Sequence, residues 1–207
     1  MPEVILPYDM MQGVIMTQKR PDWIGVYAFR EKADVDNQIQ HLNKEFVKYD
    51  MFERLLYRTD IPLEEAVAFT LDWLGFKNVI HHKDRTDCAD VTFEDDGILA
   101  LIEVEGTTRQ GDKRKILQLE GWVKDEIERN GRDPSGIQGF FAVNHFREDD
   151  PSSRGDPLTN HAKKFLNHYR FRFFTTVFLF KLVKQIAENS LTHDQARKQL
   201  WNGEGIK

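Results

Sequence analysis

Three carboxylates in one short stretch, Asp90, Glu103 and Glu105, are the residues whose types and spacing point most directly to chemistry. Between them lies Asp96-Gly97, a dipeptide that suits a type I′ hairpin turn because both residues tolerate positive φ. A two-residue turn there puts Asp95 opposite Ile98 and Asp90 opposite Glu103. Strand alternation then turns Glu105 to the same face as Glu103. The other face carries Ala89, Val91, Phe93, Ala100, Ile102 and Val104, an apolar set that supports the register. Directly opposed side chains have Cβ atoms about 4.5–5.5 Å apart, and like charges there repel. Such acids point apart into water, take up protons, or bind a hard divalent cation. Oxygen donors at this density suit Mg²⁺ or Mn²⁺ rather than Zn²⁺. For any one acid an ordinary solvated sheet face is the stronger reading. The facing pair, followed by a basic helix, favours a metal site. A bulge, or a four-residue Glu-Asp-Asp-Gly loop, would shift the register and weaken that geometry.

The elements that must position these acids are legible on either side. Pro2, Pro7 and Pro21 interrupt the first 33 residues, where IGVYAF (24–29) reads as a short strand. Residues 36–58 read as an amphipathic helix with Ile39, Leu42, Phe46, Phe52, Leu55 and Leu56 at roughly helical spacing. Packing on the main domain is the first reading of that helix; a dimer helix or a connector is the second. Asp60 as N-cap and Pro62 in the first turn open the next helix, LEEAVAFTLDWLGF, with Leu63, Val67, Leu71 and Leu74 as its stripe and Gly75 as its stop. Then come a short apolar segment NVIHH (78–82), strands ADVTFE (89–94) and ILALIEVEG (98–106), and a helix from about Asp112 to Ile127. A buried strand IQGFFAV (137–143) precedes a polar loop, 144–157. A helix (NHAKKFLNHY), a strand (FRFFTT, 171–176), a helix (VFLFKLVKQIAE) and a helical tail complete the order. This order predicts an α/β fold, a mixed central β-sheet flanked by helices, with an N-terminal helical extension over 1–58, the main domain over 59–190 and a tail over 191–207.

At this point the residues carry a resemblance. The chain resembles the restriction-endonuclease-like nuclease superfamily, often called PD-(D/E)xK, and within it a group of mostly uncharacterised prokaryotic members. The matching features are the helix LEEAVAFTLDWLGF, Asp90, the run Ile-Glu103-Val-Glu105-Gly106, a following helix with Gln118, and the later segments GFFAVNHFRED and FFTTVFLFKL. The resemblance covers roughly residues 55–185. It implies that Asp90 and Glu103 are metal ligands, with the backbone carbonyl of Val104 as a third, and that Mg²⁺ or Mn²⁺ is the cofactor. Glu105 departs from the family, which has a Lys there to stabilise or deprotonate the attacking water; a carboxylate instead binds a second cation or acts as general base. Lys115, Gln118 and Trp122 are spaced i, i+3 and i+7 on the next helix and lie along one stripe. Related nucleases place a Gln and an aromatic there, and Lys115 is a substitute for the lost Lys. The rival readings are an exposed helix lysine for Lys115 and a core aromatic for Trp122.

Basic residues cluster twice. Between Arg109 and Lys124 there are five (Arg109, Lys113, Arg114, Lys115 and Lys124) against Asp112 and Glu120. Between His161 and Arg172 there are four, Lys163 and Lys164 among them, and no acid. A solvated helix face is the bland reading; a local grip on a DNA backbone is the functional one. Asn144, His145 and Arg147 end a predicted buried strand, where open α/β sheets place site residues, with loop capping as the competitor. His81 and His82 are adjacent on a strand, point to opposite faces and cannot easily chelate together. Cys88 reads as inert packing.

Composition bounds these readings. The 207 residues are 40% hydrophobic and 12% aromatic, which excludes wholesale disorder. One Cys allows neither an internal disulfide framework nor a cysteine zinc cluster. The net charge of −5 argues against a broadly basic nucleic-acid coat but not against a local phosphate-binding face. The N-terminus has no signal-peptide pattern, and Phe171–Leu182 is too short and too broken by polar residues to span a bilayer, so a reducing cytoplasm is the default location. The sequence therefore predicts a metal-dependent DNA phosphodiesterase. The alternative is a catalytically inactive nuclease-fold module that binds nucleic acid or assembles with protein, with dimerisation through the 36–58 helix; a scaffold domain from a longer protein is a third reading.

Overall fold

The computed structural model describes residues 22–27, 29–83 and 87–203. Two compact units divide between Glu45 and Phe46. The division falls inside a continuous 28-residue helix, α1 (Arg30–Tyr57). In the first unit, Asp22–Tyr27 is a 3-10 helix with Trp23, Val26 and Tyr27 exposed. The strand expected at 24–29 is not formed. A single strand without a ladder leaves its backbone groups unpaired, whereas a 3-10 turn satisfies them locally. The prolines at 2, 7 and 21 lie outside the described residues.

In the second unit only the last turns of α1 are packed. Phe52 and Leu55 are buried, and the Phe52 ring meets Phe69 at 5.6 Å and Trp73 at 5.0 Å between centroids. Phe46 stays 73% exposed, so within this unit it does not join the core-facing stripe that was expected. Helix α2 (Asp60–Trp73) buries Leu63, Val67 and Leu71 and ends as expected at Gly75, whose φ of +89° lets the amide of Phe76 reach back to the Leu71 carbonyl. Its N-cap is Thr59, not Asp60. The Thr59 hydroxyl donates instead to the Gly106 carbonyl at 3.0 Å, stitching the start of α2 to the end of the central strand.

The sheet order is β1 (Lys77–His81), β2 (Val91–Asp95), β3 (Ile98–Gly106), β4 (Ile137–Asn144), β5 (Arg172–Thr175). β1–β2–β3 is an antiparallel meander, and β3–β4–β5 are parallel, so the sheet is mixed. β2 and β3 pair in the expected register, Asp95 with Ile98 and Val91 with Ile102. Asp96 (φ 47°) and Gly97 (φ 82°) make the two-residue turn.

Helices α3 (Lys113–Glu128), α4 (Asn160–Tyr169), α5 (Thr176–Ala187) and α6 (His193–Asn202) complete the architecture. Val91, Phe93, Ala100, Ile102 and Val104 pack with Leu63, Val67 and Leu71 of α2, Leu179 and Leu182 of α5 and Leu200 of α6. Each of the larger of these side chains, fully buried, contributes about 1.5–3 kcal/mol. On the other face, Leu101 meets Leu119 of α3, and Phe141 and Val143 meet Ile116 and Leu166. Ala89 falls in this second set and not in the first, because β2 begins only at Val91. The segment after 190 is no appendage: Ala196 and Leu200 are in the core, and the Trp201 ring lies 5.5 Å from Phe140. Among the described residues no helix is long and apolar enough to cross a membrane.

Candidate active site

The α3 side of β3 carries Leu99, Leu101, Glu103 and Glu105 in alternation, two apolar residues followed by two acids. α3 covers this face, so the acids do not look into open water. Glu103 has no exposed surface at all. Its Oε2 accepts a hydrogen bond from Lys115 Nζ at 3.0 Å and its Oε1 one from Trp122 Nε1 at 2.6 Å. Both donors come from α3, two turns apart, which is the stripe expected from the i, i+7 spacing. Gln118, between them in sequence, is exposed.

Asp90 lies just before β2, where the ladder has stopped. Its Oδ2 accepts the Val104 amide at 2.8 Å and stands 3.8 Å from Lys115 Nζ. Its carbonyl accepts the amide of His82. Asp90 and Glu103 are thus brought together as the facing register requires, and one ammonium bridges them. The Lys115 nitrogen stands where a cation shared by the pair belongs.

The electrostatics follow from burial. Loss of water, then the nearby Asp90 charge, pushes Glu103 up to about 7, against the pull of Lys115 and the two hydrogen bonds. Burial by itself would lower the Lys115 ammonium. Glu103 and Asp90 together reverse that, and it ends above its ordinary value. Glu105 is half-buried and raised by desolvation; the Asp112 amide at the start of α3 and the charges of Lys115 and Arg114 work the other way. Its Oε2 is buried without a hydrogen-bond partner.

One member of the cluster was not singled out from the sequence. Glu64, in the first turns of α2, is raised by burial and feels both Asp90 and Lys115. Its Oε2 meets His81 Nε2 at 3.0 Å. In the sequence it reads as one of two adjacent acids near a helix start, and only the Thr59–Gly106 stitch brings that start to the end of β3. The two histidines diverge as expected, His81 to Glu64 and His82 to Thr92 Oγ1 at 3.0 Å.

The strand-end residues form a separate network. Asn144 is fully buried, donates to the Arg58 carbonyl at 2.9 Å and accepts from Arg154 Nη1 at 2.8 Å. That is loop anchoring. His145 is buried too, with Nδ1 unpartnered, and burial, reinforced by Arg154, lowers its pKa. Arg147 pairs with Glu148 at 3.2 Å. The partners of these three lie in the loop and strand-end network, apart from Asp90, Glu103 and Lys115. The two basic clusters do meet. A parallel bridge between Gly111 and Leu158 sets the starts of α3 and α4 side by side, so exposed Lys113 and Arg114 neighbour exposed Lys163 and Lys164. Arg109 is exposed on the approach to α3, and Lys163 is paired with Asp156.

Asp90 and Glu103 offer carboxylate oxygens of the kind a hard divalent ion takes, the Val104 amide is bonded to Asp90, and a cationic nitrogen already bridges the two carboxylates. Among the described residues, no group of three or more acidic, His or Cys side chains is gathered closely enough to hold a metal alone. The donor set therefore fits an ion held by two carboxylates and completed by main chain, water or substrate, as Mg²⁺ commonly is.

No protein-family model and no curated protein matches the sequence. Solved structures do match in fold. Restriction endonuclease FokI superposes with a TM-score of 0.51 at 12% identity, over 74% of this chain and 30% of that one. FokI bound to DNA gives 0.50 at 10% identity, over 74% and 29%. A repair endonuclease from Pyrococcus abyssi gives 0.40 at 22%, over 56% and 46%. The chain spans about three-tenths of the FokI chains it matches. Over that span its fold resembles that of restriction endonuclease FokI.

Proposed function

We propose that the chain is a Mg²⁺- or Mn²⁺-dependent DNA phosphodiesterase. One observation carries the reading: Asp90, just before β2, and Glu103, on β3, converge under α3 on a single shared cationic partner, Lys115 Nζ, at 3.8 and 3.0 Å. Asp90, Glu103 and the Val104 carbonyl would hold the ion, which supplies positive charge to the phosphoryl oxygens and acidifies a bound water. With the carboxylates so engaged, the Lys115 ammonium pairs with a phosphate oxygen. Glu105, whose buried Oε2 has no other partner and whose pKa is raised, accepts the proton of the attacking water. Gln118, exposed on the same helical stripe, holds the scissile phosphate. Trp122 orients Glu103 through its indole N–H. Arg109, Lys113, Arg114, Lys163 and Lys164 grip the DNA backbone beside the paired helix starts.

A second reading draws on the same cluster. Glu105 stands where the family resemblance calls for Lys, and Lys115 already neutralises the acidic pair. A nuclease-fold module that binds nucleic acid without cutting accords with both facts. Incubation with linear duplex and single-stranded DNA in Mg²⁺, Mn²⁺ or EDTA, beside Asp90→Ala and Glu103→Ala, separates the two. The enzyme cuts only with metal and loses cutting in both variants; the module binds and never cuts.

A further inference from the structure

A cavity of about 450 Å³ opens beside the acidic cluster, between α3 and the start of the β2–β3 hairpin. Its floor is apolar, made by Leu99 and Leu101, which precede Glu103 on the same face of β3, and by Ala89. Its wall toward the acids is Trp122. The indole N–H of that residue is bonded to Glu103 Oε1 at 2.6 Å, so a single ring separates the cavity from the candidate metal ligand. The rim is polar and nearly charge-balanced. Arg129 is paired with Asp125 at 3.2 Å, Arg132 approaches Glu126 at 3.9 Å, and Asp87, Asn130, His82 and Thr92 also line the cavity.

Among the described residues this chemistry disfavours a phosphate: the two guanidinium groups, Arg129 and Arg132, are already engaged by Asp125 and Glu126. It suits a flat, uncharged, hydrogen-bonding ring with apolar faces. An indole offers a stacking face, carboxylates accept from exocyclic amino groups, and guanidinium and amide groups donate to ring nitrogens and carbonyls. The volume lies within the range of small-molecule sites. A base inside a duplex is held in its stack and cannot enter.

We infer that this cavity receives one unstacked nucleobase of the substrate strand, adjoining the phosphate bound at Asp90 and Glu103. This rests on the nuclease reading and narrows its substrate class to DNA with an unpaired or single-stranded nucleotide next to the cut.

The probe is a short duplex carrying 2-aminopurine, whose fluorescence falls when it stacks, either unpaired or at the same position fully paired. Asn130 is exposed at the rim, and Asn130→Trp closes the mouth without entering the core. In EDTA the unpaired probe is quenched severalfold by the wild type and not by Asn130→Trp. In Mg²⁺ the unpaired substrate is cut about tenfold faster than the paired one, as the lower range of base–aromatic stacking implies, and Asn130→Trp removes the difference. Equal quenching by both proteins, or equal cutting of both substrates, overturns the base site while leaving metal-dependent cutting intact. Quenching without cutting in any metal supports the base site and removes the nuclease reading.

Discussion

Lys115, on the helix that follows β3, donates to a carboxylate that has no exposed surface, Glu103, at 3.0 Å, and does so beside a second acid, Asp90. Three groups that would each be costly to bury alone are mutually compensated.

Removing the cation uncovers that cost. Lys115→Met leaves Glu103 and Asp90 facing each other, and should destabilise the metal-free protein by about 3 kcal/mol at pH 8. Adding Mg²⁺ should return part of the loss, because an ion supplies the missing charge. Urea midpoints with and without Mg²⁺ measure both. A variant as stable as the wild type in EDTA would mean that the bridge contributes nothing.

Acidity offers a second test. Glu103 ionises in the folded chain at about 7, above its ordinary 4.5. Between those values the folded protein keeps a proton that the unfolded chain releases. Stability therefore falls as pH rises from about 4.5 to about 7 and levels off above, by about 3 kcal/mol in all. In EDTA the wild-type urea midpoint should follow that slope, and Glu103→Gln should flatten it. An unchanged slope in Glu103→Gln would assign the titration to another group.

The paired helix starts make a salt-dependence prediction. If Lys113, Arg114 and Lys164 each touch a phosphate, neutralising any one by substitution to Gln lowers the slope of log binding constant against log salt by about 0.9 and weakens all DNA sequences alike. Filter binding or anisotropy across a salt series reads it. A substitution that weakens binding with an unchanged slope marks a contact to something other than phosphate.

Gly106 is a steric requirement. A Cβ there would lie 2.6 Å from Thr59 Cα, against backbone that cannot yield cheaply. Gly106→Ala should cost about 1–3 kcal/mol, and it should also loosen Glu64, which α2 carries toward Asp90. Chemical denaturation gives the first. A Gly106→Ala protein of wild-type stability would show that the stitch between α2 and β3 is slack.

The hairpin was readable because its signals are local. Asp-Gly fixes the turn, alternation fixes the faces, and β3 runs over the predicted residues Ile98–Gly106. The i, i+7 spacing likewise put Lys115 and Trp122 on one stripe, and both reach Glu103. Long-range packing was not readable. Glu64 joins the cluster only because Thr59 and Gly106 meet across 47 positions. Asn144 shows no sign in sequence that its amide will be spent on Arg58 and Arg154. The segment HDQARKQLWN looks like a polar tail, yet Ala196 and Leu200 turn it into a core helix. In α1 the apolar spacing was real, but spacing does not say which turns find a neighbour.

The β2–β3 hairpin also has a consequence for how the chain assembles. Its two acids are brought face to face by a turn of only two residues, a closure that occurs early because the separation is short. The lysine that reconciles them arrives later, on a helix synthesised afterwards. If the ribbon closes before that helix docks, its two acids oppose closure, and a proton or a divalent ion in the surrounding solution would ease it. The rate of refolding, and not only the final stability, should quicken in mild acid or in millimolar magnesium.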